Sequence, residues 1–389
     1  MKRRIFPMLL ALCILLSGCT SWLDGSYSWS EPHANPGINE DQKITAVANY
    51  AELRSALAQM VEKGEVTRTF SVSRMPTDVV ESNMKMALHY ASYNNPVGAY
   101  AVDSIQYELG VTAGLPAVVV TVTYNHNHSQ IKSIREVRGL SVAKEKIYEA
   151  LNGMNSELVL MINGYEDTDY AQLVQDYALQ RPDMVMEVPQ VTASVYPASG
   201  IVRVLELKFT YQTSRESLKV MQNYVQPKFS AAELFVKTEE DSSMQFARLY
   251  AFLMETTEYT VETSITPAYS LLRHGVGDSK AFASVFAAMC SRVGLECKIV
   301  SGTRAGEPWF WNMICEDGVY YHVDLLRCYR EGAYQKLVDA DMTGYVWDYT
   351  SYPVCGPEEE IPPEETTDGT EEPTEETTEE TTEETTPGT

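Results

Sequence analysis

The sequence contains no C-x-x-C pair, so it lacks the paired thiolates of a zinc ribbon. It has no basic patch or stripe, which excludes the electrostatic footprint of a nucleic-acid binder. Its scattered carboxylates, Asp103 and Glu108 among them, show none of the pairing that glycosidase chemistry uses. The N-terminal apolar run from Ile5 to Leu16 falls well short of the roughly twenty residues a membrane-crossing helix needs. Basic residues are absent from Pro357 to Thr389, and Ile361 is the one apolar side chain there.

The two ends show what these absences leave. Met1-Lys2-Arg3-Arg4, a short apolar run and Ser17-Gly18 before Cys19 have the pattern of a secretory signal over residues 1–18. Leu16-Ser17-Gly18-Cys19 fits a lipobox, so Cys19 is expected to carry lipid as the mature N-terminus. The acyl chains would then hold the protein to the membrane from outside. Residues 19–44 are rich in Ser, Pro, Gly and Asn and read as a tether. At the other end, residues 357–389 settle into a Glu-Glu-Thr-Thr period and contribute 14 of the net charge of −24. Such a segment has nothing to bury against the entropy of ordering, and is expected to be disordered. The folded part is therefore only mildly acidic. With Cys13 lost in the signal and Cys19 lipidated, Cys290, Cys297, Cys315, Cys328 and Cys355 remain, an odd set whose pairing the sequence leaves open.

Between the ends lies an internal repeat. Tyr90 to Tyr124 and Tyr177 to Tyr211 are equal spans, each passing a proline (Pro96, Pro182) and closing on a strand with a Thr-Tyr pair. Helix-period and strand-period segments recur in the order helix, strand, helix, strand, strand. Two small α+β modules over 45–133 and 134–227 are expected, each burying one sheet face under its helices. His126 and His128 alternate on an extended segment, but without a visible third ligand they are read as a strand-end turn, and no metal or other cofactor is expected.

The segment from Ala268 to Asp324 carries the chemistry. A turn with Gly275 and Gly277 enters a helix that Asp278 is placed to cap, and the helix stops at Gly294. Three strands follow: LECKIVSG, PWFWNMICEDG and, after the Asp317-Gly318 turn, VYYHVD. A helix N-terminus facing such strands suits a nucleophile, since its free N–H groups favour a thiolate or an oxyanion. In order and spacing, Gln245 to Cys355 resembles the transglutaminase-like superfamily, which has a papain-like α+β fold. The resemblance implies a domain over 228–356. It places the family's cysteine at Ser279, its histidine at Trp309 and its aspartate at Asp324.

The family's chemistry needs a thiolate, an imidazole that activates it and a carboxylate that orients the imidazole. A serine hydroxyl depends wholly on a base, and an indole is a donor only. The resemblance thus implies a pseudoenzyme. His322, two residues before Asp324 on a strand, is the candidate replacement base; His274 is a lesser one, and Cys290, about three helical turns past Ser279, suits a core. Cys297 and Cys315 lie on strands that could neighbour each other, as a disulfide or as two thiols. Trp309, Trp311 and Tyr321 are candidates to line the altered cleft with aromatic surface suited to glycan or peptide. The expected protein is a membrane-anchored, extracytoplasmic scaffold that binds cell-wall glycopeptide or an envelope protein. The alternative is an acyltransferase or peptidase acting through Ser279.

Overall fold

Thr45–Ala46 form a short strand, β1, and Asn49 then accepts the Glu52 N–H at 3.0 Å to start α1 (Tyr50–Glu62). Leu53, Leu57, Met60 and Val61 recur on one face of α1 and are fully buried. The series continues with β2 (Thr67–Ser71), α2 (Thr77–His89), α3 (Pro96–Ala101), β3 (Val102–Thr112) and β4 (Leu115–Tyr124). The sheet order is β1-β2-β4-β3, with β1 parallel to β2 and the other pairs antiparallel. Phe70, Val118, Val120 and Val122 meet the helices in one core.

After α4 (His128–Ser133) the pattern returns as β5 (Arg135–Arg138), α5 (Gly139–Asn152), β6 (Glu157–Asn163), α6 (Tyr170–Gln180), β7 (Gln190–Tyr196) and β8 (Val202–Thr210). Its sheet, β5-β6-β8-β7, repeats both the order and the pairing of the first. The expected modules are therefore present, each with one strand more than the sequence pattern gave. The extra strands, β1 and β5, hold two and four residues on sheet edges, too few to show a period of two.

The computed structural model describes residues 44–237, 239–254 and 258–357. The signal, Cys19, the tether up to residue 43 and the tail from residue 358 lie outside the described residues. Two compact units are present: the first runs to Tyr177 and takes in Val188–Arg215, while the second holds Ala178–Glu187 and the chain from Glu216 onward.

From Glu216 the second unit follows α7 (Arg215–Phe235), one helix with Pro227 inside it, so the expected boundary at 227 falls within a continuous element. Then come α8 (Ser242–Met254), α9 (Pro267–His274), α10 (Ser279–Arg292), β9 (Cys297–Arg304), β10 (Glu307–Glu316), β11 (Val319–Val323), α11 (Leu325–Glu331) and β12 (Tyr345–Trp347). The sheet is antiparallel in the order β11-β10-β9-β12. Asp317 and Gly318, both at positive φ (50° and 87°), make the tight turn between β10 and β11. The helix α10 is buried along most of its length and is tied to the sheet where Asn312 Nδ2 donates to the Ala283 carbonyl at 2.9 Å.

Gly302 lets β12 close over this sheet. A Cβ there would lie 2.2 Å from the Val346 carbonyl oxygen and 2.9 Å from the Trp311 ring. Gly302→Ala is expected to cost about 1–3 kcal/mol by overpacking, whereas Gly110→Ala, which meets nothing within 4 Å, should leave stability nearly unchanged. Urea unfolding followed by tryptophan fluorescence checks this; equal midpoints for the two variants would contradict the packing account.

Candidate functional site

The site forms where α10 begins. Gly275 ends α9 in the left-handed region (φ 67°), and Gly277 packs so closely that a Cβ would lie 2.9 Å from Leu271 Cδ1. Asp278 then caps α10, its Oδ1 accepting the Ala281 N–H at 2.9 Å while Thr263 donates to Oδ2 at 2.9 Å. Ser279 is the first helical residue and is only 6% exposed. Its Oγ accepts the Phe310 backbone N–H at 3.2 Å. The helix start therefore presents a hydroxyl where β10 passes.

Asp324, 2% exposed, collects five donors. Its Oδ1 caps α11, accepting the Leu326 and Arg327 N–H groups at 3.1 Å each. Its Oδ2 accepts Trp309 Nε1–H at 2.8 Å, Tyr345 O–H at 2.6 Å and Arg304 Nη1 at 3.2 Å. Burial first, and then the hydrogen bond to this carboxylate, push the Tyr345 phenol well above its ordinary range. Trp309 Nε1–H thus donates to the carboxylate as an imidazole N–H could. The indole fills the donor half of that role and has no basic lone pair for the other half.

His322 is wholly buried and both its nitrogens are engaged. Trp311 Nε1 can only donate, so His322 Nδ1 accepts from it at 2.9 Å. The ring proton then sits on Nε2 and is donated to Asp339 Oδ1 at 2.8 Å. No lone pair remains to receive the Ser279 proton. Asp324 caps α11 beyond the end of β11, so the expected shared strand face with His322 does not form. Cys355 brings a third metal-type ligand to within 4.8 Å of the His322 and Asp339 ligand atoms. The tautomer that Trp311 imposes, however, turns an N–H rather than a lone pair toward that spot. His274 is exposed at the end of α9, its ring edge-on to Tyr269 at 5.4 Å.

Two of the three aromatic cleft candidates lie elsewhere. Trp311, 0% exposed, is core: Tyr345 and Trp347 of β12 meet it edge to face at 5.3 and 5.7 Å. Tyr321 pairs with Ile314 across the sheet and so points to the face opposite Trp309 and Trp311. Trp309 remains, half-buried, with the Arg304 and Arg330 guanidinium groups 5.3 and 5.9 Å from its ring centroid. These arginines and Tyr345 had no signal in the sequence, because only the fold brings β9, α11 and β12 to one side chain.

The described cysteines are free thiols. Cys297 pairs with Ile314, so Cys315 points to the other face and cannot bridge to it. Cys297 instead neighbours Cys290, whose thiol burial and that contact raise well above its usual range. His126 stacks on Tyr100 at 4.0 Å, and Asn127 caps α4, which His128 begins; the two imidazoles form no common site.

Burial holds the His322 imidazole below its usual value, against the opposing pull of Asp339. The unfolded imidazole takes a proton below about pH 6.5, the folded one only at lower pH. Stability is therefore expected to fall as pH drops below about 6.5. His322→Gln removes this titration, so the stability difference between wild type and variant should narrow on acidification. A difference that stays constant across the range would show that the imidazole carries no such linkage.

Comparison with known proteins agrees with the resemblance. Residues 230–332 match the transglutaminase-like superfamily. A crystal structure of a TGase is 10% identical, with 55% of this chain and 62% of that one covered at a TM-score of 0.24. A candidate cysteine protease from Cytophaga hutchinsonii is 13% identical (41% and 70% covered, TM-score 0.23). A candidate protease from Parabacteroides distasonis is 8% identical (66% and 40% covered, TM-score 0.21). This chain thus spans less than two thirds of the TGase and of the Parabacteroides protein, and no curated protein matches it. Likenesses this slight carry no argument about chemistry. Residues 230–332 form a transglutaminase-like superfamily domain within a chain of mixed α+β fold.

Proposed function

We propose that the protein is a membrane-anchored surface lipoprotein whose transglutaminase-like domain has lost acyl-transfer chemistry and serves to bind or scaffold envelope components, cell-wall glycopeptide or protein. The observation that carries this reading is the Trp309 indole on Asp324 Oδ2 at 2.8 Å, in the place of a base. A hydroxyl attacks an amide only if something removes its proton as the bond forms. Among the described residues, the hydrogen-bond partner of Ser279 Oγ is the Phe310 N–H, itself a donor. The aspartate that would orient a base is instead filled by fixed donors. Anchoring rests on the signal and the lipobox at Cys19; no described helix is long and apolar enough to cross a membrane.

Two outcomes are expected. A fluorophosphonate or other serine-reactive probe should leave the mature protein unlabelled at Ser279, and labelling that disappears in Ser279→Ala would establish an active nucleophile. Cys19→Ala should release the protein from the membrane fraction, with loss of the diacyl mass from the N-terminal peptide. Unchanged membrane retention would remove the lipid-anchor reading.

A further inference from the structure

Two thiols face each other where α10 hands the chain to β9. Asn312 Nδ2 reaches from β10 to the Ala283 carbonyl on α10 at 2.9 Å and to Cys297 Sγ at 3.4 Å. Cys297 pairs with Ile314, two residues from Asn312, so its side chain lies on the same sheet face and points at α10. Cys290 stands seven residues after Ala283, about two helical turns, and therefore on the same side of α10. Just beyond it the chain turns back. The Cys290 carbonyl accepts the Val293 and Leu295 N–H groups at 3.1 and 3.0 Å, and Gly294 takes a positive φ of 77°. β9 then starts at Cys297. Burial first, and then hydrogen bonding with Cys297, raise the buried Cys290 thiol well above its usual range.

The other described cysteines are placed differently. Cys315 points to the opposite sheet face, Cys328 Sγ accepts the Gln335 N–H at 3.4 Å, and Cys355 lies beside His322 and Asp339. Geometry therefore selects a partner for Cys290 that the sequence left open.

Resting on the extracytoplasmic location proposed above, where disulfides persist, we infer that Cys290 and Cys297 are oxidised to a disulfide in the mature protein, stapling the end of α10 to the start of β9. The structure shows the reduced form of this pair. The oxidant is an external disulfide. The half-buried Cys297, as thiolate, attacks one of its sulfurs and expels the first thiol, leaving a mixed disulfide. Cys290 gives its proton to solvent and attacks Cys297 Sγ, and the second thiol leaves. Two protein thiols are oxidised by two electrons, and one external disulfide is reduced to two thiols. Burial disfavours the Cys290 thiolate, so the second exchange belongs to folding, before α10 is covered. The bond closes a loop of eight residues and fixes the far end of the helix that Ser279 begins.

The test maps thiols without reduction. One sample is the full mature chain refolded in a glutathione buffer poised to the oxidised side; the other is the protein recovered from its own cells with free thiols trapped by iodoacetamide. Trypsin places each of the five described cysteines in its own peptide, with Cys290 in 281–292 and Cys297 in 293–298. Both samples should yield these two peptides joined, lighter than the free pair by two hydrogen atoms. Adding a reductant should lower the urea midpoint of the oxidised wild type by about 1 M, the scale of a short disulfide loop, and leave Cys297→Ser unmoved. A midpoint that reductant does not change would overturn the inference, as would Cys290 joined to Cys328 or recovery of both cysteines as alkylated thiols from cells. The peptide map of the wild type stands whether or not the variant folds. Fractionation of Cys19→Ala reports separately on location: alkylated thiols in a protein that is lipid-anchored reject the disulfide alone.

Discussion

Around the buried carboxylate of Asp324 the C-terminal sheet is assembled. Its two oxygens receive an arginine from β9, an indole from β10, a phenol from β12 and the first amides of α11. A carboxylate taken out of water is costly unless its lone pairs are filled, and here side chains from three strands and the start of a helix fill them. Removing the charge would leave those donors facing an emptied acceptor. The group that could orient a catalytic imidazole therefore has a structural task, and that task is met by an indole. The indole N–H satisfies Asp324 much as an imidazole N–H would, but the indole offers no lone pair on the far side of the ring.

The same logic runs through the second imidazole of the region. His322 sits in line between Trp311 and Asp339, accepting from one and donating to the other. Each member of that chain has one available role, because indole cannot accept and the carboxylate is placed to do so. The imidazole is thereby a neutral packing element beneath Trp347, whose ring it meets at 4.9 Å. Proximity of His322 to Asp324 in sequence does not become proximity in function, since the chain leaves β11 and turns into α11 between them.

Much of this was legible in the residues. The turn at Gly275 and Gly277, the Asp278 cap, the stop at Gly294 and the hairpin at Asp317-Gly318 are local, and local chemistry fixes them. The repeated modules were visible because α1 and α5, with the strands after them, have clear periods. What stayed hidden depended on distant contacts. The short strands β1 and β5 owe their place to neighbours in the sheet rather than to any pattern of their own. Trp311 reads as cleft surface until β12 is known to cover it, and Tyr321 until register turns it to the opposite face. The arginines beside Trp309 escaped notice because Arg304 and Arg330 are far apart in the chain and each is ordinary alone.

The central claim is that Trp309 stands where a base would have to be. Rebuilding the site by steps tests it most directly, through the rate at which iodoacetamide alkylates residue 279 at about pH 6. With Ser279→Cys alone the thiol has no imidazole to hold it ionised, and alkylation should be slow. With Ser279→Cys and Trp309→His together, a thiolate–imidazolium pair should form and alkylation should rise by about tenfold or more. If the single variant reacts as fast as the double, some other group already serves as the base, and the account is wrong.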